Sequence, residues 1–461
     1  MFKHVIFSLF LAVISGCAVG PDYDRPELVV DDTFQSAEDY QSNDNTALMG
    51  WQQAYQDPVL QQLISTALTQ NYDLAIAISR VKEANALANV TDSSFYPSVG
   101  LLAQSKRVSD GSNSGFDDTQ ELKGQLNWQV DLFGYNQRAS EAAWAELAAL
   151  GQARYVVEMN LVAEVAATYF ALLDLQEKIK LSQSTVSLRT RALHIAQLRK
   201  SNGMVSGLDV QQAEVELQSA KVTIPNLELE YLQTLNRLKL LVADEHVNIS
   251  GSIDLTVQAL PVSIPIGIPS QVLMRRPDVL QVEAQLHSAT AKVGMATANL
   301  FPKITLTSEF GFESSELSSL LSGDSSYWEL LGGITQPLFN AGQLRNELTA
   351  AEERAYQASL AYKNVIMSVF LAVSNQLTAF KSSETIYVAQ QNLLNAATAY
   401  EKLARIRYRN GVASSLDLMD AQRKLFEAQL SFSSAKKQRL VSFVNLYREL
   451  GGGWQVDQLT L

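Results

Sequence analysis

The sequence predicts a mostly α-helical chain with a small β contribution, built from two tandem repeats. Three observations carry this. The segment Asn202-Gly203-Met204-Val205-Ser206-Gly207-Leu208-Asp209 returns as Asn410-Gly411-Val412-Ala413-Ser414-Ser415-Leu416-Asp417, an offset of 208 residues. Two stretches, 135–201 and 342–409, contain no proline and almost no glycine. Two shorter segments alternate apolar and polar residues with period two.

The repeat is a duplication of one large unit, not a short-period solenoid. At the same offset Arg199 meets Arg407, Ala213 meets Ala421, Leu217 meets Leu425 and Ala220 meets Ala428. Tyr96-Pro97 matches Phe301-Pro302, and Leu132-Phe133-Gly134 matches Leu338-Phe339-Asn340. Each half reads as helix, two strands, very long helix, turn, helix. The boundaries are 57–260 for the first repeat and 261–454 for the second. Residues 455–461 form a tail, and 244–270, rich in Pro and Gly, links the halves.

The strands alternate clearly. Leu122, Gly124, Leu126, Trp128, Val130 and Leu132 interleave with Lys123, Gln125, Asn127, Gln129 and Asp131. Ile304, Leu306, Phe310 and Phe312 interleave with Lys303, Thr305, Thr307 and Glu309. Period two places each set on its own face of a sheet. Segments 97–107 and 327–339 are the expected partners. The connections 108–121 and 313–326, rich in Ser, Gly and Asp, read as loops. Two readings fit such a sheet: a half-buried soluble sheet, or a membrane barrel with apolar side chains outward. Four strands cannot close a barrel, and an open edge is not tolerated in lipid. In the membrane reading other copies must close it, and three copies supply twelve strands.

The helices over 135–201 and 342–409 are each on the order of 100 Å long at 1.5 Å per residue. Their Ala-rich faces suit coiled-coil packing. Shorter helices are expected over 58–94, 206–243, 271–299 and 414–450, with Pro225 kinking or locally disturbing the second of these. No unbroken run of about 18 apolar residues occurs, so no ordinary transmembrane helix is expected.

The chain has 461 residues, 48 acids against 36 Lys plus Arg, one Cys and four His. A net charge of −12 argues against a nucleic-acid partner. The Cys and His counts argue against a disulfide scaffold or a Cys/His metal site. No GxGxxG, Walker, GxSxG or HExxH pattern is present, so no catalytic residue is assigned and no metal or other cofactor is expected. His194, His246 and His287 are isolated and read as packing or surface residues. Met274 and Met295 are not spaced as a methionine-rich copper site. Trp128 and Trp328 fall in strands and are candidates for an interfacial girdle.

The N-terminus reads as a signal segment. Lys3 precedes an apolar stretch over 5–14, then Ile14-Ser15-Gly16-Cys17. This resembles a bacterial lipobox: residues 1–16 are removed and Cys17 carries covalent lipid. A plain signal peptide with an incidental Cys is the alternative. Ala18, rather than Asp, points such a lipoprotein to the outer membrane. Residues 17–56 are then a lipidated, extended N-terminal segment.

At the repeated turns, Gly203 and Gly411 are suited to positive φ and end the long helices. Ser206 and Ser414 are N-cap candidates. Asp209 and Asp417 fall in the first turn that follows, where the helix dipole favours negative charge. That role alone accounts for them. A functional reading adds Asp420, which shares a helix face with Asp417. Rings of acids from several chains make a cation-selective constriction. Their mutual repulsion is expected to raise some of their pKa values or to favour cation binding.

Several motifs together resemble a known family. They are Cys17-Ala18-Val19-Gly20-Pro21-Asp22-Tyr23 with Arg25-Pro26, Trp51 to Tyr55, Asp57-Pro58-Val59-Leu60 and Val130-Asp131-Leu132-Phe133-Gly134. Arg275-Arg276-Pro277-Asp278-Val279, Ala296 to Pro302, Pro337 to Gly342 and Leu450-Gly451-Gly452-Gly453-Trp454 complete the set. The chain resembles outer-membrane efflux lipoproteins of the TolC superfamily. The resemblance implies a homotrimer with a twelve-stranded outer-membrane β-barrel and a long α-helical barrel in the periplasm. It implies a passive duct for drugs or other small toxic compounds. Its partners are then a periplasmic adaptor and a proton-driven (RND-type) inner-membrane transporter. It further implies that the tips Asn202, Gly203, Ser206, Asn410, Gly411 and Ser414 dock the adaptor. Asp417, Asp420, Asp209 and Tyr408 would form the periplasmic gate. An arginine latch found in some members is replaced here by Ala413, with Arg405, Arg407 and Arg409 nearby. A copper or silver efflux duct, or a secretion duct of the same fold, is the alternative. A non-channel, lipid-anchored coiled-coil protein is the more distant one.

Overall fold

The computed structural model describes residues 18–26, 50–109, 116–247, 249, 255, 258 and 273–452. Cys17, most of the 244–270 link and the 455–461 tail lie outside these. The elements are α1 (Trp51–Ala54), α2 (Pro58–Gln70), α3 (Tyr72–Asp92), β1 (Ser98–Ser109), β2 (Phe116–Val130), α4 (Tyr135–Ser201) and α5 (Gly207–Val242). Then come α6 (Pro277–Ala298), β3 (Lys303–Ser314), β4 (Ser326–Thr335), α7 (Gln343–Arg409) and α8 (Ser415–Glu449). The chain divides into two compact units. One gathers Ser79–Gln152 and Leu280–Val365 with the N-terminal residues, the other Ala153–Val279, Ile366–Leu461 and the segment before Ser79. Each unit therefore draws on both sequence repeats.

The first unit holds the sheet, an antiparallel meander in the order β1-β2-β3-β4. Its register sorts the side chains into two faces. Leu126 lies opposite Val99, Trp128 opposite Leu306, Ile304 opposite Ile334 and Phe310 opposite Trp328. These define an apolar face, on which Trp328 is 76% exposed and Leu101 79%. The other face carries Gln125 opposite Glu309, Asn127 opposite Thr307 and Glu309 opposite Glu329. There Lys123 Nζ bridges Glu121 at 2.9 Å and Glu309 at 2.8 Å, and the Tyr327 hydroxyl donates to Glu121 at 2.7 Å. β1 and β4 are the outer strands and each has one neighbour.

Two strand expectations change. β2 spans Phe116–Val130 rather than 122–132, because the polar residues expected in a loop up to 121 continue the ladder with β1. The Arg107 guanidinium meets Asp118 there through two bonds of 2.6 Å. β4 stops at Thr335 rather than 339, since Pro337 has no N–H for a ladder. Leu338 and Phe339 are left 93% and 90% exposed.

The second unit has one large apolar core. It joins Leu60, Ile64 and Ala67 of α2, Val165, Tyr169 and Leu172 of α4, Leu238 of α5, Val373 and Leu377 of α7, and Phe443, Val444 and Leu446 of α8. The buried Tyr169 hydroxyl donates to Asp57 at 2.5 Å. Asp57 also caps α2, accepting from the Val59 amide at 2.9 Å with Pro58 at the first helical position. Along α4 and α8, Asp174 accepts from Ser433 at 2.7 Å and Glu177 binds Lys436 at 2.7 Å, fixing the helices in register.

The helix expected over 58–94 is instead interrupted at Asn71, which is extended with ψ 129°. Its side chain caps the next helix through the Leu74 amide (3.0 Å) and donates to the Leu241 carbonyl (2.9 Å). Polar satisfaction by a distant carbonyl thus overrides the local helical pattern. Pro225 lies inside α5 without ending it. It leaves the Lys221 carbonyl without a helical donor. The helix expected over 271–299 is interrupted at Arg276: residues 273–275 are helical and α6 begins at Pro277, with Arg276 between them bound to Asp278 and Glu449. Both 67-residue helices contain a window apolar enough, by length and composition, to cross a membrane, although neither is an unbroken apolar run. That window is 61% buried in α4 and only 28% in α7.

Candidate functional site

The two helix turns are built alike. α4 ends in a Schellman motif: the Gly203 amide donates to Lys200 O and the Met204 amide to Arg199 O, each at 2.9 Å. α7 ends in the same way, with Gly411 donating to Tyr408 O at 3.1 Å and Val412 to Arg407 O at 2.9 Å. Gly203 and Gly411 share a φ of +71°, the left-handed conformation that glycine adopts without a steric penalty. Ser206 and Ser414 then open α5 and α8 as N-caps, each in a reciprocal capping box with Asp209 and Asp417. A small apolar cluster of Leu193, Val210, Ala213 and Leu217 holds α4 against α5 behind the first turn. The turns themselves expose apolar side chains. Met204 is 72% exposed, and Leu208, Val412 and Leu416 are exposed as well.

Two contacts join the hairpins. Arg199 Nη1 donates to the Tyr408 hydroxyl at 2.6 Å while its guanidinium lies 5.1 Å over the Tyr408 ring. The Ser415 hydroxyl donates to Asp209 at 2.6 Å. The structure therefore brings Tyr408 and Asp209 into the same region, but bonds them to Arg199 and Ser415 rather than to each other. Neither partner is marked by the sequence as a gate residue. Arg199 stands out only as the repeat equivalent of Arg407, and Ser415 only as the place where the second turn departs from Gly207.

Asp420 is engaged by Arg423 and Lys424 of its own helix and by Tyr400 of α7. Arg423 donates to it at 2.6 Å, Lys424 lies at 3.3 Å and the Tyr400 hydroxyl donates at 3.3 Å. Arg405 pairs with Glu401 at 2.5 Å, and Arg407 reaches the Val412 carbonyl at 3.4 Å.

Within a single chain these acids are held low by their own donors; the expected repulsion is between chains. Hydrogen bonds from Ser415 and Ser206 hold Asp209 below the ordinary carboxylate value. Those from the Ser414 side chain and backbone do the same for Asp417, and the Arg423 guanidinium for Asp420. The repulsion of Asp420 on Asp417 is the weakest of its influences. Caps and cations dominate because each carboxylate points at donors, not at another acid.

The sequence profile of the outer membrane efflux protein family matches residues 63–244 and 268–452, which take in both hairpins and all four strands. The chain belongs to this family. Among its relatives in the family is the toluene efflux pump outer membrane protein TtgC of Pseudomonas putida. The two are 32% identical over 454 residues, covering 96% of this chain and 94% of TtgC. The probable outer membrane lipoprotein SilC of Salmonella typhimurium is 32% identical over 464 residues, covering 98% and 100% of the two chains. The open-state outer membrane channel MtrE of Neisseria gonorrhoeae superposes with a TM-score of 0.89 at 28% identity. The match covers 95% of this chain and 98% of MtrE. This outer membrane efflux protein thus has the TolC-like channel fold, a helical barrel with a β contribution. It is an outer-membrane channel component of an efflux pump. The paired turns belong to the helical part of that fold, and the two-faced sheet is its β contribution.

Proposed function

We propose that three copies of this chain assemble into a passive export duct. The duct passes small toxic compounds, of the kind named for the toluene pump relative, from an inner-membrane transporter through a periplasmic adaptor to the outside. The observation that carries the trimer is the sheet: an apolar face exposed along four strands, with β1 and β4 each lacking a second neighbour among the described residues. Lipid satisfies the face but not the strand edges, so further copies must pair with them. Three copies give a twelve-stranded barrel with its polar face inward. The largely uncovered apolar window of α7 supports the same assembly. Nothing in the motif content provides for ATP use or covalent catalysis, so the transporter, of the proton-driven type, supplies the energy, and the chain acts as a conduit rather than an enzyme.

The turns around Asn202, Gly203 and Ser206, and around Asn410, Gly411 and Ser414, are the proposed adaptor-docking tips. Their exposed Met204, Leu208, Val412 and Leu416 offer apolar anchors. Asp209, Tyr408, Asp417 and Asp420 are the proposed gate, opened when the adaptor binds the open arrangement more tightly. Lowered pKa values keep Asp417 and Asp420 ionised at neutral pH, as a cation-selective ring requires. Cys17 is proposed to carry covalent lipid.

The deciding experiment is electrophoresis in mild detergent with planar-bilayer recording. The duct runs as a heat-sensitive trimer and conducts ions; a non-conducting monomer overturns the proposal. In the same recordings Asp417→Asn weakens cation preference more than Asp420→Asn, whose charge Arg423 and Lys424 already offset.

A further inference from the structure

We infer that residues 18–26 are a docked strap, and that Arg138 with Gly134 and Gly294 forms the receptor that seats it beside the end of β2. The strap is the stretch of chain immediately after Cys17. What it carries rests on the proposed lipidation; the docking does not.

The observations come from three elements of one compact unit. The Val19 amide donates to the Phe133 carbonyl at 3.2 Å, just past the end of β2. The Arg138 side chain, only 5% exposed, reaches the strap with three bonds: Nε to Val19 O at 3.3 Å, Nη2 to Gly20 O at 3.4 Å and Nη2 to Asp22 at 2.6 Å. Its remaining nitrogen is held by Glu141 at 2.8 Å, which fixes the guanidinium plane. A buried guanidinium facing two strap carbonyls and a strap carboxylate is a peptide-binding arrangement.

Three glycines let the strap come this close. A Cβ on Gly134 would stand 2.5 Å from Ala18 Cα, and Gly134 has φ +78°. A Cβ on Gly20, with φ +92°, would stand 2.6 Å from Gly294 Cα. A Cβ on Gly294 would stand 2.8 Å from the Arg138 side chain. The strap backbone therefore crosses α6 at a point where neither chain has room for a side chain. Farther along, the Tyr23 ring stacks on His287 at 4.5 Å, and Arg25 binds Glu283 at 2.6 Å. Both partners lie on α6, the element that carries Gly294.

Docking changes what an N-terminal anchor does. Nine free residues reach up to about 30 Å at ~3.3–3.6 Å per residue. That is about the thickness of the hydrocarbon core, so a free strap would let the anchor wander over the whole membrane depth relative to the sheet. The docked strap instead holds Ala18, the residue next in sequence to Cys17, against Gly134 just past the end of β2. The strap thus sets where the anchor enters relative to the sheet.

Hydrogen–deuterium exchange of the full-length protein in detergent, read on the peptide containing Val19, tests this. The peptide that spans 202–209 serves as the folding control. The Val19 amide is protected in the wild type and equally in Cys17→Ser, because protein contacts hold the strap. In Arg138→Ala and in Gly294→Val it exchanges at least about tenfold faster, with the control unchanged. Should either variant fail to fold, Tyr23→Ala with Asp22→Asn, changed on the strap alone, gives the same loss of protection. An unprotected Val19 amide in the wild type overturns the inference. So does protection that survives Arg138→Ala or disappears in Cys17→Ser. Intact mass reads the lipid independently: a wild-type chain without acyl mass removes the lipidation proposal and leaves the docking result standing.

Discussion

The two helix turns are alike in backbone and unlike in what they bind. Both close with a Schellman motif at a glycine of φ +71°, and both reopen with a Ser–Asp capping box. Yet the first turn supplies Arg199 and Asp209 to the contacts between hairpins, while the second supplies Tyr408 and Ser415. In the repeat alignment Tyr408 corresponds to Lys200 and Ser415 to Gly207. Each cross-link pairs a residue kept identical by the duplication, Arg199 or Asp209, with one that diverged, Tyr408 or Ser415. Local structure needs only neighbours in sequence, so each copy can retain it. A latch between copies needs complementary, not identical, groups.

The largest expected effect tests the shared half of that comparison. Gly203→Val and Gly411→Val each force a β-branched residue into the left-handed region, at about 1–2 kcal/mol. A Cβ at either glycine meets nothing within 4 Å, so the cost is conformational and should be the same at both turns. Exchange of the amides of residues 203–204 and 411–412 measures it. A tenfold difference in effect between the two turns would show that tertiary contacts, not the backbone motif, hold one of them.

Much of this was legible beforehand, and for physical reasons. The α4 limits follow from Tyr135 after a Gly134 turn and from Asn202-Gly203. The caps follow from Ser three residues before Asp. The strand faces follow from strict alternation, because a one-residue slip would invert them. What the sequence hid depends on partners far away along the chain. Asn71 breaks a helical pattern because it binds Leu241, and Arg199 and Tyr408 meet across 209 residues. The hydrogen-bond donors to the acids were hidden for a related reason. Their spacing places Asp417 and Asp420 on one helix face, but it does not reveal that Ser206, Ser414, Ser415 and Arg423 reach the acids within the chain.

A smaller effect sharpens the unlike half. Arg199→Ala removes a charged hydrogen bond and a cation–π contact to Tyr408, worth about 1 kcal/mol together at a half-exposed site. Arg407→Ala, its repeat equivalent, removes a 3.4 Å contact to the Val412 carbonyl of its own turn and a minor electrostatic pull on Asp417. In planar bilayers Arg199→Ala should raise the open fraction of the channel several-fold, and Arg407→Ala should leave it near the wild-type value. Tyr408→Phe keeps the ring under the guanidinium and falls between them. Equal effects of the two arginine variants would mean that the hairpins are not joined through Arg199.

The smallest effect at neutral pH is the titration of the caps, and it separates the turns once more. Asp209 and Asp417 both have folded-state pKa values below the ordinary carboxylate value of about 4. A depressed folded value means that the ionised cap contributes fully above about pH 4. The contribution is lost as the pH falls through the lower, folded value. Exchange at both turns, corrected for intrinsic rate, should therefore be flat from pH 7 to 5 and rise only below about pH 4. Protonating Asp417 frees its own cap alone, whereas protonating Asp209 also weakens the bond from Ser415. Acid should thus loosen the start of α8 as well as that of α5, and Asp209→Asn should shrink the acid response at Ser415 while leaving that at Ser414. A transition near pH 6 instead would mean that assembly brings carboxylates of several chains close enough to repel one another. Their pKa values would then be set by the ring and not by the caps.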